Sequence, residues 1–250
     1  MKTTYMAIVR YLVSIIILLT TWKVIVIIFS LPTYILPPPD MVITTLFKES
    51  DLFQKAFFYT ISNTIIGASL GIVLGIALAM FLAYSKSARW IIEPYLMIFQ
   101  SFPRESLFPL FLVWLGFGDG PKIMNSFLLS FFPIAVLVLN ALINVDESYL
   151  KLMRSWYASK KEEFIYCRLP YAIPQIVSAI KVGLPLALIG AVLGEFLGGS
   201  QGLGYLIISS GAQFRVDRIF ASIAILAMIG LSFLAIIQLI QNLFLKKYYF

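Results

Sequence analysis

Four ionisable residues stand inside runs of Leu, Ile, Val and Phe: Lys23, Arg104, Glu105 and Glu195. In a membrane each costs about 2.5 to 3.5 kcal/mol on insertion scales, so each needs a partner or a task. Carboxylates such as Glu105 and Glu195 could couple ions, or could hold structure by accepting hydrogen bonds. Lys23 either snorkels to the membrane surface or contacts a neighbouring helix. Arg104 follows Pro103 and shortly precedes Pro109, and prolines free backbone carbonyls that must face protein or water. Two roles are open to it: pairing with an acid on a neighbouring helix, or facing a passage and favouring an anionic solute.

The rest of the chemical inventory is thin. There is no His, and Cys167 is the single cysteine, so the chain is short of residues for a metal centre, a Cys–His nucleophile or a disulfide. A membrane-embedded enzyme is disfavoured on the same ground. No G-x-x-x-x-G-K-[ST] phosphate loop occurs, and the glycine-rich GGSQGLG lacks its lysine.

The elements that must position these residues are apolar. Hydrophobic residues make up 60% of the 250, charged residues 12%, and the mean hydropathy is +0.93; soluble domains carry about 25% charged residues. The net charge of +7 comes from basic residues at the ends of apolar runs, not from clusters interleaved with stacking aromatics, which argues against nucleic acid. Stretches near the roughly 20 residues that cross a bilayer lie at about 11–31, 57–83, 94–115, 123–143, 173–197 and 219–244. Strand-length runs of alternating polarity are absent, so the expected fold is an all-α membrane protein of six transmembrane helices in one domain, 1–250. The first stretch is too long for a signal h-region and shows no A-x-A site, so it reads as an uncleaved helix.

Lysine and arginine set an orientation with both termini cytoplasmic. Inner ends and loops then hold Lys2, Arg10, Lys86, Arg89, Lys151, Arg154, Lys160, Lys161, Arg168, Lys181, Lys246 and Lys247, and the outer side holds Lys48, Lys55, Lys122, Arg215 and Arg218. On the outer side, Pro37-Pro38-Pro39 forces an extended approach. Asp40 could then cap a short helix whose Met41, Val42, Leu46 and Phe47 lie on the membrane face; a plain surface connector is the other reading. Gly67, Gly71 and Gly75, continued by Ala79 and Ala83, form a smooth strip for close helix packing.

Between the fourth and fifth stretches, residues 144–171 carry Asp146, Glu147, Lys151, Arg154, Lys160, Lys161, Glu162, Glu163 and Arg168, too many charges for lipid. Tyr149, Leu150, Leu152, Met153 and Trp156 make one apolar helical face, and Phe164, Ile165 and Tyr166 a second. Ala158-Ser159 offers a turn and an N-cap between them. Two short amphipathic helices joined at a bend are expected on the cytoplasmic side.

After this island come Leu169-Pro170 and Pro174, a transmembrane stretch, and GEFLGGSQGLGYLI from Gly194 to Ile207. With YILPPPDMV before the second helix and SFPRESLFPLFLVWLGFGDGPKI in the third, this order resembles the permease subunits of binding-protein-dependent ABC importers. The specific likeness is to the nitrate, taurine and sulfonate type, related to thiamine-precursor and riboflavin permeases. The resemblance implies a type I importer-like permease fold with no cofactor on this chain, ATP and Mg being held by an ATPase partner. It further implies two ATPase subunits, an extracytoplasmic solute-binding protein, a second permease copy as homodimer, and the cytoplasmic membrane of a prokaryote as location. In the family a cytoplasmic motif of Glu-Ala-Ala, three residues, Gly, nine residues, Ile, one residue and Leu-Pro docks into the ATPase. Anchored on Leu169 and Pro170, that frame puts Cys167 at the Ile position, Tyr157 at the Gly position and Lys151, Leu152 and Met153 at Glu-Ala-Ala.

The implied docking residues are thus Lys151, Trp156, Tyr157, Ala158, Ser159, Leu169 and Pro170, and the implied translocation path includes Arg104, Glu105 and Glu195, the last toward an outer gate with a hydrogen-bonding role. Glycine supplies a positive-φ bend that tyrosine adopts only at a cost. Either the bend here uses ordinary dihedrals or the docking helix sits differently. The rival expectation is a self-contained ion-coupled transporter or channel, for which Glu105 and Glu195 are the coupling candidates.

Overall fold

The computed structural model describes residues 2–244, so Lys246 and Lys247 of the charge pattern lie outside the described residues. The chain runs through α1 (Lys2–Ile28), α2 (Pro39–Lys48), α3 (Ser50–Tyr84), α4 (Lys86–Ser101), a 3-10 turn (Arg104–Leu107), α5 (Phe108–Leu115) and α6 (Asp119–Ile143). It continues through α7 (Glu147–Ser155), α8 (Lys160–Glu163), a π turn (Phe164–Arg168), α9 (Leu169–Gly198), α10 (Leu203–Ala212) and α11 (Val216–Phe244). Among the described residues no strand occurs. Among the described residues four helices are long and apolar enough to cross a membrane: α3, α6, the continuous run Lys160–Gly198, and Val216–Leu243 of α11.

The centre is a three-helix core of α3, α6 and α9. Small residues set its spacing. A Cβ at Gly67 or Gly71 would run into Ser126 or Ser130 of α6, and one at Gly75 would stand 3.1 Å from Ile134. These contacts advance together along both chains, so α3 and α6 run parallel. Gly183, Gly190 and Gly194 of α9 meet Ile134, Ser126 and Lys122 in the reverse order, which makes α9 antiparallel to both. Buried polar groups on α6 bond along this seam and within the helix: Asn125 Nδ2 donates to Gly190 O at 2.7 Å and Ser130 Oγ to Ser126 O at 3.1 Å, while Asn125 Oδ1 has no partner among the described residues. Without water in the membrane such groups have few other partners.

One apolar cluster, with Leu82, Leu96, Ile134, Val138 and Leu142, joins α3, α4, α6 and α9 toward one end of the bundle. The other, with Val42, Phe53, Leu188, Leu203 and Phe233, joins α2, α3, α9, α10 and α11 toward the opposite end.

The structure departs from the sequence-based expectation in four places. The stretch expected as a third span, 94–115, is not one helix: α4 stops at Ser101, and Phe102 is extended at φ −85° and ψ 139°. Phe102 precedes Pro103, whose ring disfavours the helical region for the residue before it. Second, the latter half of the charged island is no separate helix. Helical structure runs unbroken from Lys160 to Gly198, across Pro170. In the π turn Leu169 N–H donates to Phe164 O, five residues back. This wider register opens the turn where a proline ring would otherwise press on the carbonyl four residues back.

Third, Asp40 does not cap α2. Pro38 occupies the N-cap position with no side-chain bond, and Asp40 pairs instead with Lys23 of α1 at 3.3 Å. Of the face expected to lie on the membrane, Val42 is buried in the core while Phe47 is exposed. Fourth, α10 forms between the fifth and sixth expected stretches, 173–197 and 219–244, where no helix was expected.

Candidate functional site

The charged bend is built by local capping. Asp146 caps α7 by accepting from Ser148 N at 2.8 Å. At the far end Tyr157 N–H donates to Arg154 O at 3.0 Å and Ala158 N–H to Met153 O at 3.1 Å. Closing that turn puts Tyr157 at φ 58°, so the bend uses a left-handed conformation and not ordinary dihedrals. Ser159 then opens α8 with a capping box: Glu162 N–H donates to Ser159 Oγ at 3.3 Å, and Ser159 N–H to Glu162 Oε2 at 2.7 Å. Trp156 is exposed and Tyr157 is 97% exposed, a large aromatic tip with nothing on it in the single chain.

Charged contacts tie the bend to the core. Arg168 donates to Glu163 at 2.7 Å and through Nη1 to Leu142 O at 3.0 Å, in the last turn of α6. Arg154 Nε reaches the other oxygen of Glu163 at 3.4 Å. Phe164 stacks edge-on with Tyr84 at the end of α3, ring centroids 5.8 Å apart. Leu169 packs against the core cluster at this end, and Pro170 sits in the first turn of α9. Lys151 makes only an exposed pair with Glu147 at 3.2 Å, which contributes little.

A left-handed tyrosine carries a cost of about 1 kcal/mol relative to the right-handed region. Tyr157→Gly is therefore expected to steady the turn, slowing amide hydrogen exchange at Ala158 and Ser159 severalfold. Unchanged or faster exchange would mean that the left-handed tyrosine is not strained.

At the opposite end of the bundle, α10 begins without a side-chain cap of its own. Its first N–H groups are satisfied by other helices. Leu203 N–H donates to Thr60 Oγ1 at 2.8 Å; Thr60 Oγ1–H donates to Glu195 Oε2 at 2.9 Å; Gly204 N–H donates to the same oxygen at 2.8 Å. A carboxylate at a helix N-terminus is also favoured by the helix dipole. Glu195 is 1% exposed, and a Cβ at Gly202, whose φ is 101°, would enter its carboxylate. Beside it Lys122, expected on the outer side from the charge pattern, is only 2% exposed. Its Nζ donates to Tyr59 Oη at 2.6 Å, and Tyr59 Oη in turn bonds Asp119. The sequence held one signal for this: Lys122 follows Pro121 directly at the head of an apolar run.

A second cluster closes the same end. Arg218 Nε donates to Glu49 Oε2 at 2.6 Å and Arg215 Nη2 to Glu49 Oε1 at 2.9 Å, while Arg215 and Thr45 both donate to Asp217. These bonds join α2, the head of α3 and the head of α11. The Arg218 hydrogen bond, with help from Arg215 and against the effect of burial, holds the Glu49 carboxyl below its ordinary range.

Arg104 lies in the 3-10 turn of the broken stretch, with Nε and Nη1 shut off from solvent and without a hydrogen-bond partner among the described residues. Glu105 is exposed beside it. The structure therefore brings Glu195 together with Thr60, but it leaves Arg104, Glu105 and the bend at separate places.

The arrangement defines a class: a polytopic all-helical membrane protein with a charged, motif-bearing bend between two of its spans. Residues 71–248 match the family described as binding-protein-dependent transport system inner membrane component, and the chain belongs to it. It is 33% identical over 86% of its length to a probable ABC transporter permease protein of Haemophilus influenzae, covering 88% of that protein. It is 32% identical over 85% of its length to the formylaminopyrimidine transport permease protein ThiX of Halalkalibacterium halodurans, covering 85% of it. A putative aliphatic sulfonates transport permease protein, SsuC of Bacillus subtilis, is 28% identical over 92% of this chain and 84% of its own. A chain of the MetNI methionine ABC transporter, solved in inward facing conformations, has the same fold, with a TM-score of 0.68 over 81% of this chain and 99% of that one at 19% identity. The chain is thus a permease of the binding-protein-dependent ABC importer family.

Proposed function

We propose that this chain is the membrane-spanning subunit of an ATP-driven importer that moves a small solute, a nitrate-, sulfonate- or taurine-like anion or a thiamine-precursor-like molecule, by alternating access. Two copies enclose a central passage, each crossing the membrane six times with both termini cytoplasmic. The broken α4–α5 stretch supplies one crossing and α1 another. Two ATPase subunits, which carry ATP and Mg, sit beneath the bends at 144–163, and an extracytoplasmic solute-binding protein sits above the end that holds Glu49 and Arg215. Trp156 and Tyr157 enter the ATPase, and Lys151, Ala158, Ser159, Leu169 and Pro170 shape and anchor the bend.

One observation carries the reading: the exposed bend takes a left-handed turn at Tyr157, the position at which the resemblance implies a glycine. A turn formed at a steric cost supports a surface that a partner must fit. Arg168, bonded to both Glu163 and the end of α6, gives movement of the bend a route into the core. The rival ion-coupled carrier is disfavoured, because Glu195 is engaged by two donors that tie it to α3 and α10.

The test is uptake in proteoliposomes holding this chain with its ATPase and binding protein. Uptake is expected only with all three and ATP. Transport by this chain alone, driven by an ion gradient, would sink the reading.

A further inference from the structure

Lys181 stands on α9 where α11 passes it. Its Nζ donates to Gln238 Oε1 at 2.7 Å and to Gln241 Oε1, and Gln238 Nε2 donates on to Asn242 Oδ1 at 3.3 Å. The amides turn their oxygens to the ammonium but bring it no negative charge. No acid of the same end does so either. Glu93 pairs with Arg89, Glu147 with Lys151, and Glu163 with Arg154 and Arg168, while Asp146 and Glu162 cap α7 and α8. The acids within α9 and α11 are Glu195 and Asp217, both engaged at the opposite end. None of the ion pairs among the described residues includes Lys181. The residue is half-buried and its bond to Gln238 is exposed, so a ligand can reach it from outside the chain.

This cation lies at the polar edge of a span. α9 and α11 run antiparallel here: a Cβ at Gly230 would stand 3.9 Å from Leu188, and Lys181 meets Gln238 and Gln241 further on. The apolar run of α11 from 219 to 237 covers roughly 28 Å, close to the thickness of a hydrocarbon core, and the amides begin with Gln238. Leu231 and Leu234 are exposed and, by spacings of three and four, share a helix face with Gln238 and Gln241. The surface is thus apolar along the span and cationic at its edge. That division suits an amphiphile and not a small hydrophilic ion. An ammonium has three donors, of which two are used, and Gln241 Nε2 has no partner among the described residues, so donors remain for an oxyanion.

We propose that Lys181 and Gln241 hold the phosphate of an anionic phospholipid, whose acyl chains lie along Leu231 and Leu234. Basic pockets between helices bind lipid head groups in this way. A zwitterionic lipid brings its own cation and leaves Lys181 uncompensated, so the site discriminates by net charge. Placing the lipid in the cytoplasmic leaflet rests on the orientation in the importer reading; the site itself does not.

The test needs neither ATP nor a known solute. Full-length chain in detergent micelles is titrated with phosphatidylglycerol and phosphatidylcholine of equal chain length, and bound lipids are counted by native mass spectrometry. The chain is expected to prefer phosphatidylglycerol, and Lys181→Gln to lower its affinity for that lipid about fivefold while leaving phosphatidylcholine binding unchanged. Lys181→Arg is expected to keep the preference. Gln241→Glu is the second probe: it keeps the side-chain shape, gives Lys181 a carboxylate of its own, and is expected to reduce the preference as Lys181→Gln does. Equal binding of the two lipids, or a preference that survives both Lys181→Gln and Gln241→Glu, would overturn the proposal. Displacement of the lipid by millimolar inorganic phosphate or methanesulfonate would assign the site to a small anion and overturn it too. None of these results bears on uptake, which decides the importer reading separately.

Discussion

Adding a single methyl group at Gly190 is expected to unseat the core. In Gly190→Ala the new Cβ would stand 2.8 Å from Asn125 O and from Ser126 Cα, and 2.9 Å from Ser126 N. All three are backbone atoms of α6, so no rotamer change relieves the contact. α6 and α9 would have to move apart. That movement would also stretch the bond from Asn125 Nδ2 to Gly190 O and loosen the buried contacts along the seam. Overpacking of this kind costs about 1–3 kcal/mol, sometimes more, and the lost hydrogen bond adds about 1 kcal/mol. The expected result is a large fall in thermal midpoint of the detergent-solubilised protein and in the amount recovered from membranes. Gly230→Ala in α11 is the matched control: its nearest neighbour would be Leu188 at 3.9 Å, and alanine is the better helix former by about 1 kcal/mol. Equal behaviour of the two variants would show that α6 and α9 are not in close contact at Gly190.

The second large effect is expected at Glu195. Glu195→Ala removes the acceptor of Gly204 N–H and of Thr60 Oγ1–H and leaves a cavity where the carboxylate stood. Unmet buried donors cost about 1–3 kcal/mol each, so the loss should be several kcal/mol and should fall first on α10. Glu195→Gln keeps an oxygen that can accept from both donors, and its amide group replaces an Oε1 that has no partner now. It is expected to retain most of the stability. Hydrogen exchange localises the effect: Leu203 and Gly204 amides should lose protection in Glu195→Ala and keep it in Glu195→Gln. Comparable damage in the two variants would mean that the negative charge, not the accepting oxygen, holds α10.

These positions differ in how far the sequence announced them. The glycines at 67, 71 and 75 were visible as a strip, because a four-residue repeat keeps one helix face smooth whatever its partner. The partner was not visible. That Ser126, Ser130 and Ile134 fill the strip depends on the parallel docking of α3 and α6. Ser159 was legible as an N-cap because its partner, Glu162, is three residues away. Thr60 and Glu195, 135 residues apart, gave no local sign that together they cap α10.

Proline was legible in part. Pro103 between Phe102 and Arg104 marks a break by local sterics alone, and a stricter reading of the residue before a proline would have divided the third stretch. Pro170 looks locally similar, yet the helix runs through it. The difference is tertiary: Arg168 is pinned to Glu163 and to Leu142 O, and Phe164 packs on Tyr84, which holds the wider π turn beneath the proline ring. Tyr157 shows the converse. Its side chain disfavours a left-handed turn, and the turn forms anyway because the backbone bonds to Arg154 O and Met153 O close it.

Through composition and short spacing, the sequence by itself determined a membrane protein made of helices, a charged island outside the lipid, a thin catalytic inventory, and a chain of motifs that identifies the family. Tertiary structure decided which spans pack, where a span is broken, and which buried charges are satisfied. The physical reason is one of range. Hydrophobicity, caps and proline sterics act within a few residues. The partner of a buried carboxylate such as Glu195 is set by helices that meet only after the chain has folded.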